Sequence, residues 1–183
     1  MNGRLRNRAG QAGFTLVELL AVVAIVGILA VLAITSYVKW NDWAKTAQTR
    51  DLVVHIAGAQ EQYNADTDGY LDCSAGYLDY YPLPPSPNKR LFQNSNHTAH
   101  PCFRHFHVDA ESATYSGFIV LAGAPGEAIQ QPPMTQQINL PPPPGRPWYI
   151  VYAATDLDGD TVLERMITSS FQPGEVHIEN QGE

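Results

Sequence analysis

The chain has 183 residues and a formal net charge of −7. That length suits one modest domain with an appendage and is enough to bury a core. An acidic balance without a cluster of cations excludes a basic nucleic-acid face as the main contact surface.

Arg4, Arg6 and Arg8 precede residues 13–34, GFTLVELLAVVAIVGILAVLAI, in which sixteen apolar residues run unbroken from Leu19 to Ile34. A helix from Phe14 to Tyr37 would span about 36 Å, enough to cross a hydrocarbon core of about 30 Å. The segment is apolar on every face, which a core helix of a small domain is not. The arginines ahead of it place the N-terminus in the cytoplasm and everything beyond Tyr37 outside. A cleavable secretory signal fits only loosely, because no small-residue cleavage site follows.

The run continues into VKWNDWAKTAQTRDLVVHIAGAQEQYNA with no proline or turn cluster between. Trp40, Trp43, Ala47, Leu52, Ile56, Ala59 and Tyr63 recur at mostly helical spacing. This predicts one helix of about fifty residues, apolar all round in its first half and one-faced in its second. The stripe is expected to pack on a globular core. Tyr37, Trp40 and Trp43 fall where the helix leaves the apolar zone, a position that suits interface anchors.

Glu18 stands inside the apolar stretch. A charge at the centre of a membrane-spanning helix costs about 2.5 to 3.5 kcal/mol, so such an acid normally has a partner. Cutting the bond before Phe14 would supply one, a free amine four residues from Glu18 and one helical turn away. In an assembly the same amine could reach a neighbour's Glu18.

GFTLVELL resembles the type III signal of type IV prepilins and of the pseudopilins of type II secretion. The resemblance firmly covers residues 1 to about 40, with a weaker echo in AQEQYNADTDGYLD. It implies a membrane peptidase that cuts between Gly13 and Phe14 and methylates Phe14, and a docking role for Glu18 in assembly. It implies a cytoplasmic leader (1–13), a transmembrane and filament-core helix half (14–37) and an exported domain (38–183). Within the last, an amphipathic helix half (38–65) is followed by loops and sheet (70–183). Many pilins carry a proline late in the apolar helix; Thr35 stands near that place here, and Gly27 remains as a weak point.

Most of the fourteen prolines crowd into Pro82–Pro87, Pro125–Pro133 and Pro141–Pro147, which read as surface loops. Between and after them, residues 115–122, 148–155 and 162–168 read as strands, with a short final strand near 176–178. DLDGDT between the second and third predicts an antiparallel hairpin. The fold class is α+β, a long N-terminal helix packed on a small antiparallel sheet, the layout the resemblance also implies.

Cys73 and Cys102 are the only cysteines. The implied export route passes an oxidising compartment, so a disulfide is expected, with two unpaired thiols as the alternative. No C-x-x-C occurs, which removes thioredoxin-like chemistry and haem attachment. Asp156, Asp158 and Asp160, followed by Glu164, are candidate calcium ligands, since acidic oxygens at alternate positions can wrap a hard cation. The helix-loop-helix version needs glycine where Thr161 stands and glutamate where Ile167 stands. The competing reading is a tight hairpin turn. Calcium in the exported domain of some pseudopilins keeps the first reading in play. His97, His100, His105 and His107 surround Cys102 and raise zinc as a second metal. Against it, the segment reads as a loop and Cys102 is better used with Cys73. The H-x-H at His105 and His107 is expected on one face of a strand.

Three function classes follow. The first is a pilin, major or minor, processed by prepilin peptidase and assembled through its N-terminal helix for adhesion, motility or DNA uptake. Its partners would be copies of itself or other pilins, the peptidase/methyltransferase and an inner-membrane assembly platform, with no nucleic acid as main partner. It would wait as a single-pass inner-membrane protein, its C-terminal domain periplasmic, before entering an extracellular or periplasmic filament. A secretion pseudopilin is the alternative within that structural class, and the second class is a minor tip subunit acting as a binding module. A membrane-anchored enzyme has no support from G-x-S-x-G, H-E-x-x-H or P-loop patterns, none of which occurs.

Overall fold

The computed structural model describes residues 13–108, 112–136, 138, 140–141 and 144–181, and the backbone alone at Thr35. The leader arginines, with Pro142 and Pro143 of the third proline group, lie outside the described residues. The chain divides into two compact units between Trp40 and Asn41. Helix α1 (Leu16–Thr67) is continuous over 52 residues, as the uninterrupted sequence pattern predicts. In the first unit every described side chain from Phe14 to Ile34 is exposed.

In the second unit α1 buries Thr46, Thr49, Val53, Ile56 and Gln60, at steps of three and four. This corrects the expected stripe at its start. Trp40, Trp43 and Ala47 are exposed, the two tryptophans at 68% and 67%. Leu52, Ile56, Ala59 and Tyr63 do turn inward. The helix buries polar residues at the N-terminal end of this face because the opposing strands offer polar partners there. Thr46 Oγ1 donates to Glu164 Oε2 (2.8 Å), and Thr49, Ser116 and Thr155 form a hydroxyl chain of 2.6 and 2.7 Å. At the other end the Gln60 amide brackets Leu71, donating to its carbonyl and accepting its N–H. Asp68 ends the helix in a left-handed conformation (φ 57°).

The sheet is an antiparallel meander of β3 (Ser116–Gly123), β4 (Trp148–Thr155), β5 (Glu164–Ser169) and β6 (His177–Glu179). All four strands fall where the sequence places them, to within two residues. A second, two-stranded sheet pairs β1 (Arg90–Leu91) with β2 (Ala113–Thr114). Alternate residues of β3 face opposite layers. Phe118 and Val120 join the core with Val53 and Ile56 of α1. Ile119 and Leu121 join Trp148, Ile150 and Tyr152 on the other face. That second face is closed by the 24-residue connection between β3 and β4, through Ile129, Met134, Ile138 and Leu140. The described prolines of this connection therefore lie in a cover over the sheet. With both faces covered, all eight residues of β4 are buried.

The segment expected to be a loop around Cys102 contains helix α2 (His100–His105), with Pro101 in its first turn, where its missing N–H has no helical partner to lose. Phe103 and Phe106 of this segment, with Tyr81, Phe92 and Phe118, form a nest of rings with neighbouring centroids 4.7 to 6.5 Å apart.

Candidate assembly site

Thr15 is the residue before the first helical position of α1. The first turn of any helix leaves four N–H groups without helical acceptors. Here Glu18 donates its N–H to Thr15 Oγ1 (3.2 Å), and Thr15 donates its own N–H to Glu18 Oε2 (2.9 Å). The Thr15 hydroxyl proton goes to the same carboxylate oxygen, at 2.7 Å. This is a reciprocal capping box, two orphan donors satisfied by residues three apart. It also sets a carboxylate at the positive end of the helix dipole. The sequence carries its T-x-x-E signature, but a reading that assigns Glu18 only to an amine passes over it. Gly13 and Phe14 precede the box in open chain, and Phe14 is 86% exposed. Gly13 is exposed as well.

Asp156, Asp158 and Asp160 bring one carboxylate oxygen each within 4.8 Å of one another. Glu164 does not join them. It is fully buried and takes the Thr46 hydroxyl at the start of β5. The turn is not tight either, since eight residues separate β4 from β5. Each aspartate accepts an N–H of the loop itself: Gly159 on Asp156, Asp160 on Asp158 and Val162 on Asp160. Gly159 adopts φ +81° and Thr161 φ +75°, the left-handed conformation that shapes the loop.

Cys73 and Cys102 form a disulfide, with Cα atoms 5.7 Å apart. The bridge ties α2 to the segment leading into the ring nest. The histidines near it do different things. His97 Nδ1 accepts the Ala99 N–H, and Nε2 lies 3.3 Å from Asp79 Oδ1. His100 Nδ1 meets the Tyr81 hydroxyl at 2.6 Å, and that hydroxyl donates to Phe92 O. His105 stands edge-on to Tyr63. His107 follows α2 at φ 56°, so the expected strand with His105 and His107 on one face does not form. Among the described residues, the three aspartates are the one convergent set of three or more metal-type ligands.

The family model for the prokaryotic N-terminal methylation motif matches residues 8–34. No curated protein and no solved structure matches the chain. The matched span contains Gly13, Phe14, the Thr15–Glu18 box and the exposed apolar helix up to Ile34. With an α+β second unit of pilin-like layout behind it, the chain carries the type III signal of type IV pilin and pseudopilin precursors.

Proposed function

We propose that the chain is a structural subunit, major or minor, of a type IV pilus-like filament. Its leader is removed between Gly13 and Phe14 by prepilin peptidase, Phe14 is methylated, and α1 carries it from the inner membrane into the filament. The supporting observation is the combination at the head of α1. A methylation motif leads into a helix whose described side chains from Phe14 to Ile34 all lie exposed, with Glu18 held at its first turn. Such a surface is unfavourable in water, so it calls for hydrocarbon before assembly and for like helices after it. The role is structural rather than catalytic. Its partners are other pilins, the peptidase and an inner-membrane platform, and the second unit lies on the periplasmic side.

Intact mass of the chain in sheared surface filaments and in washed membranes tests this reading. A species beginning at methylated Phe14 and abundant in filaments supports it. A species retaining Met1 to Gly13 in both fractions overturns it. The second reading is a pseudopilin, favoured by the three aspartates that converge within 4.8 Å. It is supported instead if processed chain stays with the membrane and calcium raises its melting temperature.

A further inference from the structure

We propose that the second unit carries a binding site for a short acidic sugar, with Arg50 as the group that holds its carboxylate. The inference goes beyond the assembly reading and stands on a different part of the chain. A cavity of about 530 Å³ opens at the edge of the four-stranded sheet. Strand order puts β6 at this edge, yet β6 pairs with β5 only from Arg165 to Ile167. The last two residues of β5, Thr168 and Ser169, run on without a strand beside them on that side. There the chain turns back. Gln172 donates its N–H to Ser169 O at 3.3 Å, and Glu175 donates its own to Gln172 O at 3.2 Å. The cavity lies along this opened edge, and Arg50 of α1 with Ile138 and Leu140 of the cover completes its wall.

The lining selects the ligand. Arg50 is exposed, and among the described residues nothing pairs with its guanidinium. Lys45 and Arg165, by contrast, are each taken by a carboxylate of the same unit. The planar fork of an arginine matches a carboxylate, two N–H groups to two oxygens. Glu175 lines the same cavity, so a doubly charged phosphate would meet a repulsion that one guanidinium does not offset. A single negative charge fits. Gln136 and Gln172 reach the cavity as exposed side chains whose amides bond to nothing else among the described residues. An amide both donates and accepts, which suits hydroxyls that do the same. Ile167 and Val176 add an apolar patch for the C–H face of a sugar ring. A fatty acid would leave the amides unpaired, and a neutral sugar would leave Arg50 unused. Small-molecule sites span about 300 to 1,000 Å³, so the volume suits a disaccharide-sized ligand.

The test titrates digalacturonate into the full chain in detergent micelles and follows heat and melting temperature. Cellobiose, a neutral disaccharide of similar size, runs beside it. The expected result is binding of digalacturonate that weakens with salt, and little or none of cellobiose. Arg50→Gln should weaken binding about ten-fold, the loss of one charge-assisted contact. Arg50→Lys, a point charge without the fork, should recover part of it. Arg50 is exposed, so neither variant should move the melting temperature of the free chain. Gln172→Ala should also lower the affinity, and it decides the site if Arg50→Gln does not fold. Absence of digalacturonate binding overturns the proposal. Cellobiose bound as well as digalacturonate overturns the acidic class and the Arg50 role. Binding unchanged in both Arg50→Gln and Gln172→Ala would place the sugar elsewhere and overturn the site.

Discussion

Thr46 and Glu164 are 118 residues apart in sequence, yet the Thr46 hydroxyl donates to the buried Glu164 carboxylate at 2.8 Å. The bond joins α1 to the first residue of β5, in a row where Ser116, Thr155 and Glu164 are cross-strand partners. Thr46→Val keeps the shape of the side chain and removes a donor from a carboxylate that stays fully buried. The expected loss is about 2 kcal/mol of stability. Denaturant unfolding of the detergent-solubilised chain checks it; an unchanged midpoint would show that the bond contributes nothing net.

This polar row marks where the sequence was least legible. A search for apolar residues at helical spacing finds Leu52, Ile56, Ala59 and Tyr63 and then extends back to Trp40, Trp43 and Ala47, which are exposed. The buried positions there are Thr46 and Thr49, and only the partners on β3, β4 and β5 make them so. Stepping back from Ile56 by threes and fours would have reached Val53, Thr49 and Thr46. The strands were legible because β-branched and aromatic runs are long and well bounded. The cover on the outer face was signalled by WYIVYAAT, whose apolar run does not alternate as a half-wet strand would. Helix α2 is six residues long and held by ring packing and the disulfide, so local periodicity could not announce it. At the assembly site, Gly13, Phe14, Thr15 and Glu18 all stood out in the motif. The bonds between Thr15 and Glu18 did not, because they depend on reciprocal geometry rather than on composition.

Glu18→Ala is expected to insert in the membrane and lose its leader normally, while filament yield falls. The apolar run from Leu19 to Ile34 is untouched, and removing an acid makes insertion easier. Assembly loses the one side-chain anion in the apolar helix that can meet an amine. Filament counts and intact mass of the same cells separate the two steps. Replacing Gly13 should give the opposite pattern, an uncut chain retained in the membrane.

Replacing Cys73 and Cys102 together by serine removes a bridge spanning 29 residues. The chain-entropy model puts its contribution at about 3.5 kcal/mol, so the double variant should unfold at clearly lower denaturant. Tyr81 and Phe92 of the ring nest lie inside this loop, Phe103 and Phe106 follow directly after Cys102, and the nest should loosen first. Increased proteolysis between residues 82 and 100, ahead of global unfolding, is the expected sign. An unchanged midpoint would mean that ring packing alone holds the segment.

Glu179 fastens the cover over the outer face of the sheet. Its carboxylate accepts the N–H groups of Thr135 and Gln136, at 3.1 and 2.9 Å, and Arg165 Nη1 at 3.1 Å. Burial pushes its pKa up, but the N–H groups of Gln136 and Thr135 and the Arg165 guanidinium more than offset this, so it lies below the usual glutamate value. A carboxyl lowered in the fold stabilises it fully above the unfolded pKa, about 4.3, and that contribution is lost as pH falls through the lowered native value. Acidification through this window should therefore release the 124–147 connection from the sheet. Trp148 lies 3% exposed beneath it, packed with Met134, Ile138 and Leu140. Its fluorescence should shift to the red on release, whereas Trp40 and Trp43 are already exposed and should change little. Glu179→Gln cannot ionise and should flatten this pH response, with lower stability at neutral pH because Arg165 loses its charged partner. The same acid-induced shift in Glu179→Gln would assign the response to another carboxyl.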